Sequence, residues 1–321
     1  MNTIDSKNIN EIILPFIQEN YKIWIYSVER FETWLCHYVY DVILENWNNI
    51  VFRISSNENK KLLEWMIFWH KYLSELKIKI PNILHIELDC DKYFLPFIIL
   101  ERLKWDDLWN VFNKLSDNNL KNIAEEISNI QNKISNLNIE WNWFWFARFP
   151  NDSNLKISWK DLLLSDLDKA KKWINENKIF SEDYVVKVKE KIKKYNSYIS
   201  QVKPKPFLDD ITTKNVIINN WVFNWIVDFD QVCFWDKLYN IALIKIALLK
   251  QDNSLNYVSY LIENLKLSQI EIKIIDLYLL IFCVTFMWEK WKKFNKEIAW
   301  EINKNEINKL KNIFEIYYNR I

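Results

Sequence analysis

The sequence predicts an α+β chain in two parts: a small N-terminal lobe on an antiparallel sheet, residues 1–103, and a larger, mainly helical C-terminal lobe, residues 104–321. Three observations lead there. Strand-length segments rich in β-branched and aromatic residues crowd the first hundred positions. From Leu115 onward the apolar residues recur at helical spacing. A short strand-rich stretch, LDDITTKNVIINNWVFNWIVDFDQVCFWD at Leu208–Asp236, interrupts the helices and carries the most informative polar residues.

Taken in order, residues 8–20 read as an amphipathic helix with Ile9, Ile12, Ile13, Phe16 and Ile17 on one face. Ile23–Phe31, Tyr38–Leu44 and Ile50–Ile54 read as strands, followed by a helix over Asn59–Glu75. Ile83–Leu88 and Phe94–Leu100 form a further hairpin, and Glu101-Arg102-Leu103 is a polar turn that suits a hinge between the lobes, although a plain strand-to-helix connection reads the same way. Leu120, Ile123, Ile127, Ile130, Ile134 and Leu137 mark one helical face. Residues 139–157 are an aromatic loop, and 159–174 and 181–200 are helices, the second with a basic, solvated face. Val216–Ile218 and Phe223–Val227 make a hairpin; helices then cover Leu238–Lys250, Leu255–Leu265, Gln269–Lys293 and Ile302–Tyr318.

Composition adds an anomaly. The 321 residues include 18 tryptophans and no glycine, whereas ordinary usage of about 7% predicts about 22 glycines. The tryptophans occupy glycine contexts. Asn220-Trp221 stands where Asn-Gly would form the hairpin turn, which needs φ > 0. Trp34, Trp105, Trp143 and Trp145 lie in similar loop contexts. A source that decodes UGA as glycine is the expectation, against a truly tryptophan-rich protein as the alternative, and Trp159 is the first candidate for a genuine tryptophan. The remaining bulk features exclude several functions. A net charge of +1, from 43 basic and 42 acidic residues, gives no field for nucleic acid or an anionic membrane. Four dispersed cysteines and three histidines argue against a disulfide framework or a zinc site. The N-terminus lacks a signal peptide's basic and apolar regions, and the apolar run Leu277–Trp288 is shorter than the ~18 residues of a spanning helix. The expected setting is cytoplasmic, as a monomer or weak homodimer.

Chemistry concentrates in three residues. Asp210 precedes Asn215 by five positions, and Asn215 and Asp228 flank the two strands of one hairpin, whose pairing brings them together. Magnesium takes hard oxygen ligands and keeps some waters, so an amide and a carboxylate plus nucleotide phosphates suffice to hold it. The remaining carboxylate, Asp210, is then placed to orient a hydroxyl. In the first lobe Arg53 ends a strand and Glu64 lies on the following helix, a cation–carboxylate arrangement suited to phosphates, though each charge alone fits a solvated surface. With glycine at 34, the Thr33-Trp34-Leu35 turn would let backbone amides approach phosphates; a tight hairpin turn is the plainer reading of a lone glycine, and the position relative to the third strand adds weight to the phosphate contact.

With these residues in view, the chain resembles the aminoglycoside phosphotransferase family, which shares the protein-kinase-like fold with choline kinases. The family's H-G-D motif, its asparagine and its I-D-F segment correspond to Leu208-Asp209-Asp210, Asn215 and Val227-Asp228-Phe229. Glycine at 221, 225 and 235 would bring the stretch closer still. The likeness covers residues 24–110 and 205–243 well and 140–163 loosely. It implies ATP and Mg²⁺ as cofactors, Asp210 as catalytic base, and Asn215 and Asp228 as metal ligands. It also implies nucleotide contacts at Thr33, Trp34, Leu35, Arg53 and Glu64, with adenine at Glu101 and Leu103, and a small-molecule hydroxyl acceptor. Four departures stand out: Leu208 for histidine, Asp209 for glycine, Arg53 for lysine and Asn240 for aspartate. Asp209 adds a carboxylate that raises its neighbour's pKa if both face inward. A pseudokinase that binds nucleotide without transfer, or a pure interaction protein, are the alternative readings.

Overall fold

The computed structural model describes residues 3–31, 37–104, 106–139, 144, 158–177, 180–230, 232–289 and 304–321. Two compact units account for them. The first comprises Met1–Lys71 and Ile80–Lys104; the second comprises Tyr72–Lys79, Trp105–Lys292 and Ala299–Ile321. Tyr72–Lys79 groups with the second unit, and there the Ile226 amide donates to the Lys79 carbonyl at 2.9 Å.

The first unit opens with α1 (Thr3–Asn8), a π-helical turn (Ile9–Ile13) and α2 (Leu14–Asn20). This helical run begins five residues before the expected start. Asp5 explains the extension: it accepts from Arg30 Nη1 at 2.9 Å and from the Tyr40 hydroxyl at 2.7 Å, partners remote in sequence. The π turn precedes Pro15, which has no amide hydrogen and crowds the preceding turn of an α-helix. Five strands follow: β1 (Ile25–Arg30), β2 (Tyr38–Leu44), β3 (Asn49–Ile54), β4 (Ile83–Glu87) and β5 (Phe97–Glu101), with α3 (Lys60–Glu75) between β3 and β4. They form one antiparallel sheet in the order β1-β2-β3-β5-β4. β5 starts three residues later than expected because Pro96 cannot donate to a ladder.

Register decides which face each residue takes. Tyr40 pairs with Phe52, and Phe52 with Ile99, so all three share the face buried beneath the N-terminal helices. There the Phe16 ring meets Phe52 and Phe97 with centroids 5.8 and 5.3 Å apart. Val39, Arg53 and Ile98 pair on the opposite face.

The second unit contains β6 (Asp106–Asp107), α4 (Leu108–Val111) and α5 (Asp117–Ser135). A capping box between Ser116 and Asn119 starts α5 by satisfying otherwise orphaned amides. Then come α6 (Trp159–Asn177), α7 (Asp183–Lys194), α8 (Asn196–Ile199), β7 (Lys205–Leu208), β8 (Val216–Asn219), β9 (Val222–Ile226) and β10 (Val232–Trp235). β7 pairs with β10, and β6, β8 and β9 form a separate antiparallel sheet. Helices α9 (Leu238–Lys250), α10 (Asn256–Asn264), α11 (Gln269–Glu289) and α12 (Lys304–Tyr318) complete the unit. From Ile274 to Val284 every residue of α11 is buried, which makes it the central helix of this core. Its one carboxylate in that span, Asp276, is buried with Lys245 of α9 as an ion pair. Among the described residues, no helix is long and apolar enough to cross a membrane.

Among the described residues, two tryptophans adopt the left-handed backbone region that favours glycine. Trp47 has φ 62° in the β2–β3 turn, and Trp221 has φ 67° after Asn220 at φ 48° in the β8–β9 turn. Consecutive positive φ values define the hairpin turn for which Asn-Gly is the preferred pair. Trp159 behaves differently. It is buried, and its indole Nε1 donates to the Tyr278 hydroxyl at 2.7 Å, a bond glycine cannot make.

Candidate active site

β7 ends at Leu208, and the chain turns through Asp209 and the half-buried Asp210. Asn215 closes this loop from both ends. Its Nδ2 donates to the Asp210 carbonyl at 2.8 Å, and its own amide donates to Thr212 at 3.0 Å. The loop is fixed further by the Trp109 amide, which donates to the buried Thr213's carbonyl at 2.9 Å.

The hairpin then returns the chain to the same place. Val216 pairs with Ile226, and the Val227 amide donates to the Asn215 carbonyl at 2.9 Å, so Asp228 follows directly on a residue bonded to Asn215. Asp228 has φ 56°, a left-handed conformation that aspartate tolerates better than most residues, and the next side chain, Phe229, is buried. The structure therefore gathers Asp210, Asn215 and Asp228 at one end of the β8–β9 hairpin.

This cluster is strongly acidic. The buried Cys233 thiol is pushed up first by burial and then by Asp209, Asp230 and Asp210, which places three carboxyl groups around β10. Asp209 is buried, and its pKa rises to about 8, first through burial and then through repulsion from Asp210, partly offset by the Trp235 indole. Repulsion between the two neighbours thus adds to the effect of burial at Asp209. Asp209 Oδ1 makes no hydrogen bond to protein.

Among the described residues, no group of three His, Cys, Asp or Glu side chains is arranged to hold a metal. An amide–carboxylate pair is a different donor set, and Asn215 and Asp228 fit it. With Nδ2 committed to the Asp210 carbonyl, Asn215 has Oδ1 as its remaining side-chain oxygen. Hard oxygens of this kind, completed by phosphate and water, are what Mg²⁺ prefers.

In the first unit, Arg53 on β3 is 2% exposed, and its Nη1 donates to Met66 Sδ at 3.5 Å. Met66 lies on α3 two positions after the half-buried Glu64, so the arginine is set against the helix that carries its expected partner. Glu101, at the end of β5, accepts from Asn82 Nδ2 at 2.8 Å. Leu103 is buried, and its carbonyl accepts from Arg102, whose Nε also donates to Asp41 of β2 at 2.7 Å. Thr33, Trp34 and Leu35 lie outside the described residues.

Gln131 escaped the sequence reading of the site, and Asn240 entered it only as a departure from the family's aspartate. Gln131 of α5 and Asn240 of α9 are both buried and both bond the backbone leading into Asp210. Gln131 falls on the apolar stripe between Ile127 and Ile134, and a polar residue on a buried stripe is the signal that would have revealed it. A cavity of 580 Å³ in the second unit, edged by Lys77, Lys79, Glu125, Glu126, Lys133 and Phe223, contains none of the expected site residues. Its rim is mostly exposed and of mixed charge.

The family model described as "APH: Phosphotransferase enzyme family" matches residues 36–253. No curated protein matches the chain in sequence. Among solved structures, the GDP and kanamycin complex of APH(2")-IIia is 16% identical with a TM-score of 0.69, covering 96% of this chain and 98% of that one. The streptomycin–ATP–APH(2")-IIa ternary complex is 12% identical with a TM-score of 0.67, over 96% and 97% of the two chains. ADP-bound aminoglycoside phosphotransferase APH(2'')-Ib is 11% identical with a TM-score of 0.67, over 97% and 98%. The antiparallel sheet of the first unit and the helices of the second are those of the protein-kinase-like fold these structures share.

Proposed function

The chain belongs to the phosphotransferase enzyme family, and from that premise we propose that this small-molecule kinase moves the γ-phosphate of ATP, with Mg²⁺, to a hydroxyl of a small molecule. Aminoglycosides, amino alcohols and sugar-like compounds are the acceptor classes. The observation that carries the reading is the tie between the base and the metal ligands: Asn215 bonds the Asp210 carbonyl through its side chain and Val227, beside Asp228, through its backbone.

Phosphoryl transfer asks for positioning and neutralisation of charge rather than for a covalent intermediate. Asp210 would accept a hydrogen bond from the acceptor hydroxyl, aim its oxygen in line with the γ-phosphorus and take up its proton as the new P–O bond forms. Asn215 Oδ1 and the Asp228 carboxylate would hold Mg²⁺, which when bound neutralises the phosphate charge. Nucleotide recognition would fall to the first unit, with Arg53 and Glu64 serving the phosphates together with Thr33, Trp34 and Leu35. The backbone at Glu101 and Leu103 would meet the adenine. Arg102 supports that role, since its bonds to Asp41 and to the Leu103 carbonyl restrain the strand end.

Asp210→Asn tests the assignment. It is expected to reduce transfer about 1,000-fold or more, within the range of about 100- to 10,000-fold that general acid–base catalysis contributes. Mg–ADP affinity should stay within about threefold. Full turnover by this variant would remove Asp210 from the mechanism. The bond between Asn215 and the Asp210 carbonyl also favours a transferring enzyme over a nucleotide binder that has lost transfer, because it keeps base and metal site in one frame.

A further inference from the structure

Three consecutive peptide carbonyls, those of Leu208, Asp209 and Asp210, each accept a hydrogen bond from a different side-chain amide. Gln131 Nε2 donates to Leu208 at 2.7 Å, Asn240 Nδ2 to Asp209, and Asn215 Nδ2 to Asp210 at 2.8 Å. The first contact is double: the Leu208 amide donates back to Gln131 Oε1 at 3.1 Å. In an antiparallel strand the N–H and C=O of one residue point to the same side. Gln131 therefore closes the edge of β7 away from β10, standing in for a third strand at the last residue before the Asp209–Asp210 turn. The two amides also touch each other, with Gln131 Nε2 3.4 Å from Asn240 Oδ1. Only one orientation of each amide satisfies this set, since flipping Gln131 would set its oxygen against the Leu208 carbonyl and its NH₂ against the Leu208 N–H.

We infer that Gln131 is a positioning residue for phosphoryl transfer, acting through the Leu208–Asp210 backbone to hold Asp210 in line. The inference rests on the reading of Asp210 as the catalytic base. Leu208 is 1% exposed and its side chain offers no hydrogen bond, so the strand end cannot be anchored by its own residue. Gln131 is only 6% exposed and sits on α5, a 19-residue helix anchored by its apolar stripe, which gives the amide a rigid base. Asn240, in the first turn of α9, passes the restraint to the next peptide. With successive carbonyls fixed from α5, α9 and the Asn215 loop, the torsions on either side of Asp210 have little room to vary. Misplacing a catalytic group by 1 Å costs about 100-fold in rate.

The test uses the full chain and three variants. Gln131→Met removes both hydrogen bonds to Leu208, and the contact with Asn240, at nearly the same volume. Gln131→Glu keeps the acceptor but sets a carboxylate against the Leu208 carbonyl and Asn240 Oδ1. Gln131→Asn is one methylene shorter and serves where the other two fail to fold. Phosphate release from Mg–ATP and Mg–ADP affinity are measured below each variant's Tm. The expected result is a kcat lowered about 10- to 100-fold, with KM for Mg–ATP and Kd for Mg–ADP within twofold of wild type. In hydrogen exchange, protection of the Leu208 amide should be lost in Gln131→Met while the α9 amides keep theirs. A folded Gln131→Met with kcat within twofold of wild type would overturn the inference. So would a fall in kcat matched by loss of nucleotide affinity, or failure of all three variants to fold, which would make the residue structural. Asp210→Asn run alongside separates the two levels: if it retains turnover the catalytic reading fails, whereas if it is inactive and Gln131→Met is not impaired only this inference fails.

Discussion

Asp209 offers the sharpest physical test of the acidic cluster. Its carboxyl is buried, one oxygen makes no hydrogen bond to protein, and its pKa is pushed from the ordinary carboxylate range up to about 8. A carboxyl raised in the folded state binds its proton more tightly there than in the unfolded chain. Between the two pKa values the native protein therefore carries the extra proton, and stability falls as pH rises. The slope approaches about 1.4 kcal/mol per pH unit well below pH 8 and flattens through it, so the loss from pH 6 to pH 8 is about 2.3 kcal/mol. Asp209→Asn keeps the shape and removes the titration. Urea unfolding of both proteins at pH 6, 7 and 8 measures the difference. The wild type should lose about 2 kcal/mol more than the variant over that range. Equal pH dependence in the two would refute the argument, since Asp209 would then ionise in the native state as readily as in the unfolded one.

Further outcomes follow from single residues. Trp221→Gly and Trp47→Gly should each stabilise the chain by about 1 kcal/mol, read from the urea midpoint, because a side chain at left-handed φ costs about 1–2 kcal/mol that glycine avoids. Trp159→Gly should do the opposite, losing a buried indole and its bond to Tyr278, at a cost of at least about 3 kcal/mol. Asp228→Asn should raise the Mg²⁺ concentration needed for half-maximal transfer about tenfold or more, since a neutral amide replaces a charged oxygen donor. An unchanged Mg²⁺ requirement would remove Asp228 from the metal site.

Much of the fold was legible because its signals are local. The apolar stripe of α5 and the alternation around Asn220-Trp221 are set by spacing within a few residues. What escaped depends on partners far along the chain. β6 is two residues long and exists only through Asp106 and Asp107 pairing with Ile218 and Ile217. β10, Val232–Trp235, is a short apolar run whose partner β7 lies about 27 residues earlier, and nothing local distinguishes it from a loop. The same limit governed the site. Asp210, Asn215 and Asp228 stood out by residue type and order, because a metal-dependent transfer needs those oxygens. Gln131 did not, and Asn240 showed only as a departure from the family pattern, because they act on the backbone of Leu208 and Asp209, 77 and 31 positions away. The glycine-like backbone at 47 and 221 was visible at Asn220-Trp221, where turn chemistry names the residue it needs, and not at Trp47, whose neighbours are less specific.

The most direct test of the central claim is transfer itself. The full chain is incubated with Mg–ATP and a panel of aminoglycosides, amino alcohols and simple sugars. Phosphorus NMR then follows the fate of the γ-phosphate. The account predicts a new phosphomonoester signal with one acceptor class, dependent on Mg²⁺ and lost in Asp210→Asn. A well-folded protein that binds Mg–ATP yet yields no phosphomonoester with any class, and whose phosphate release is the same in Asp210→Asn, would contradict it.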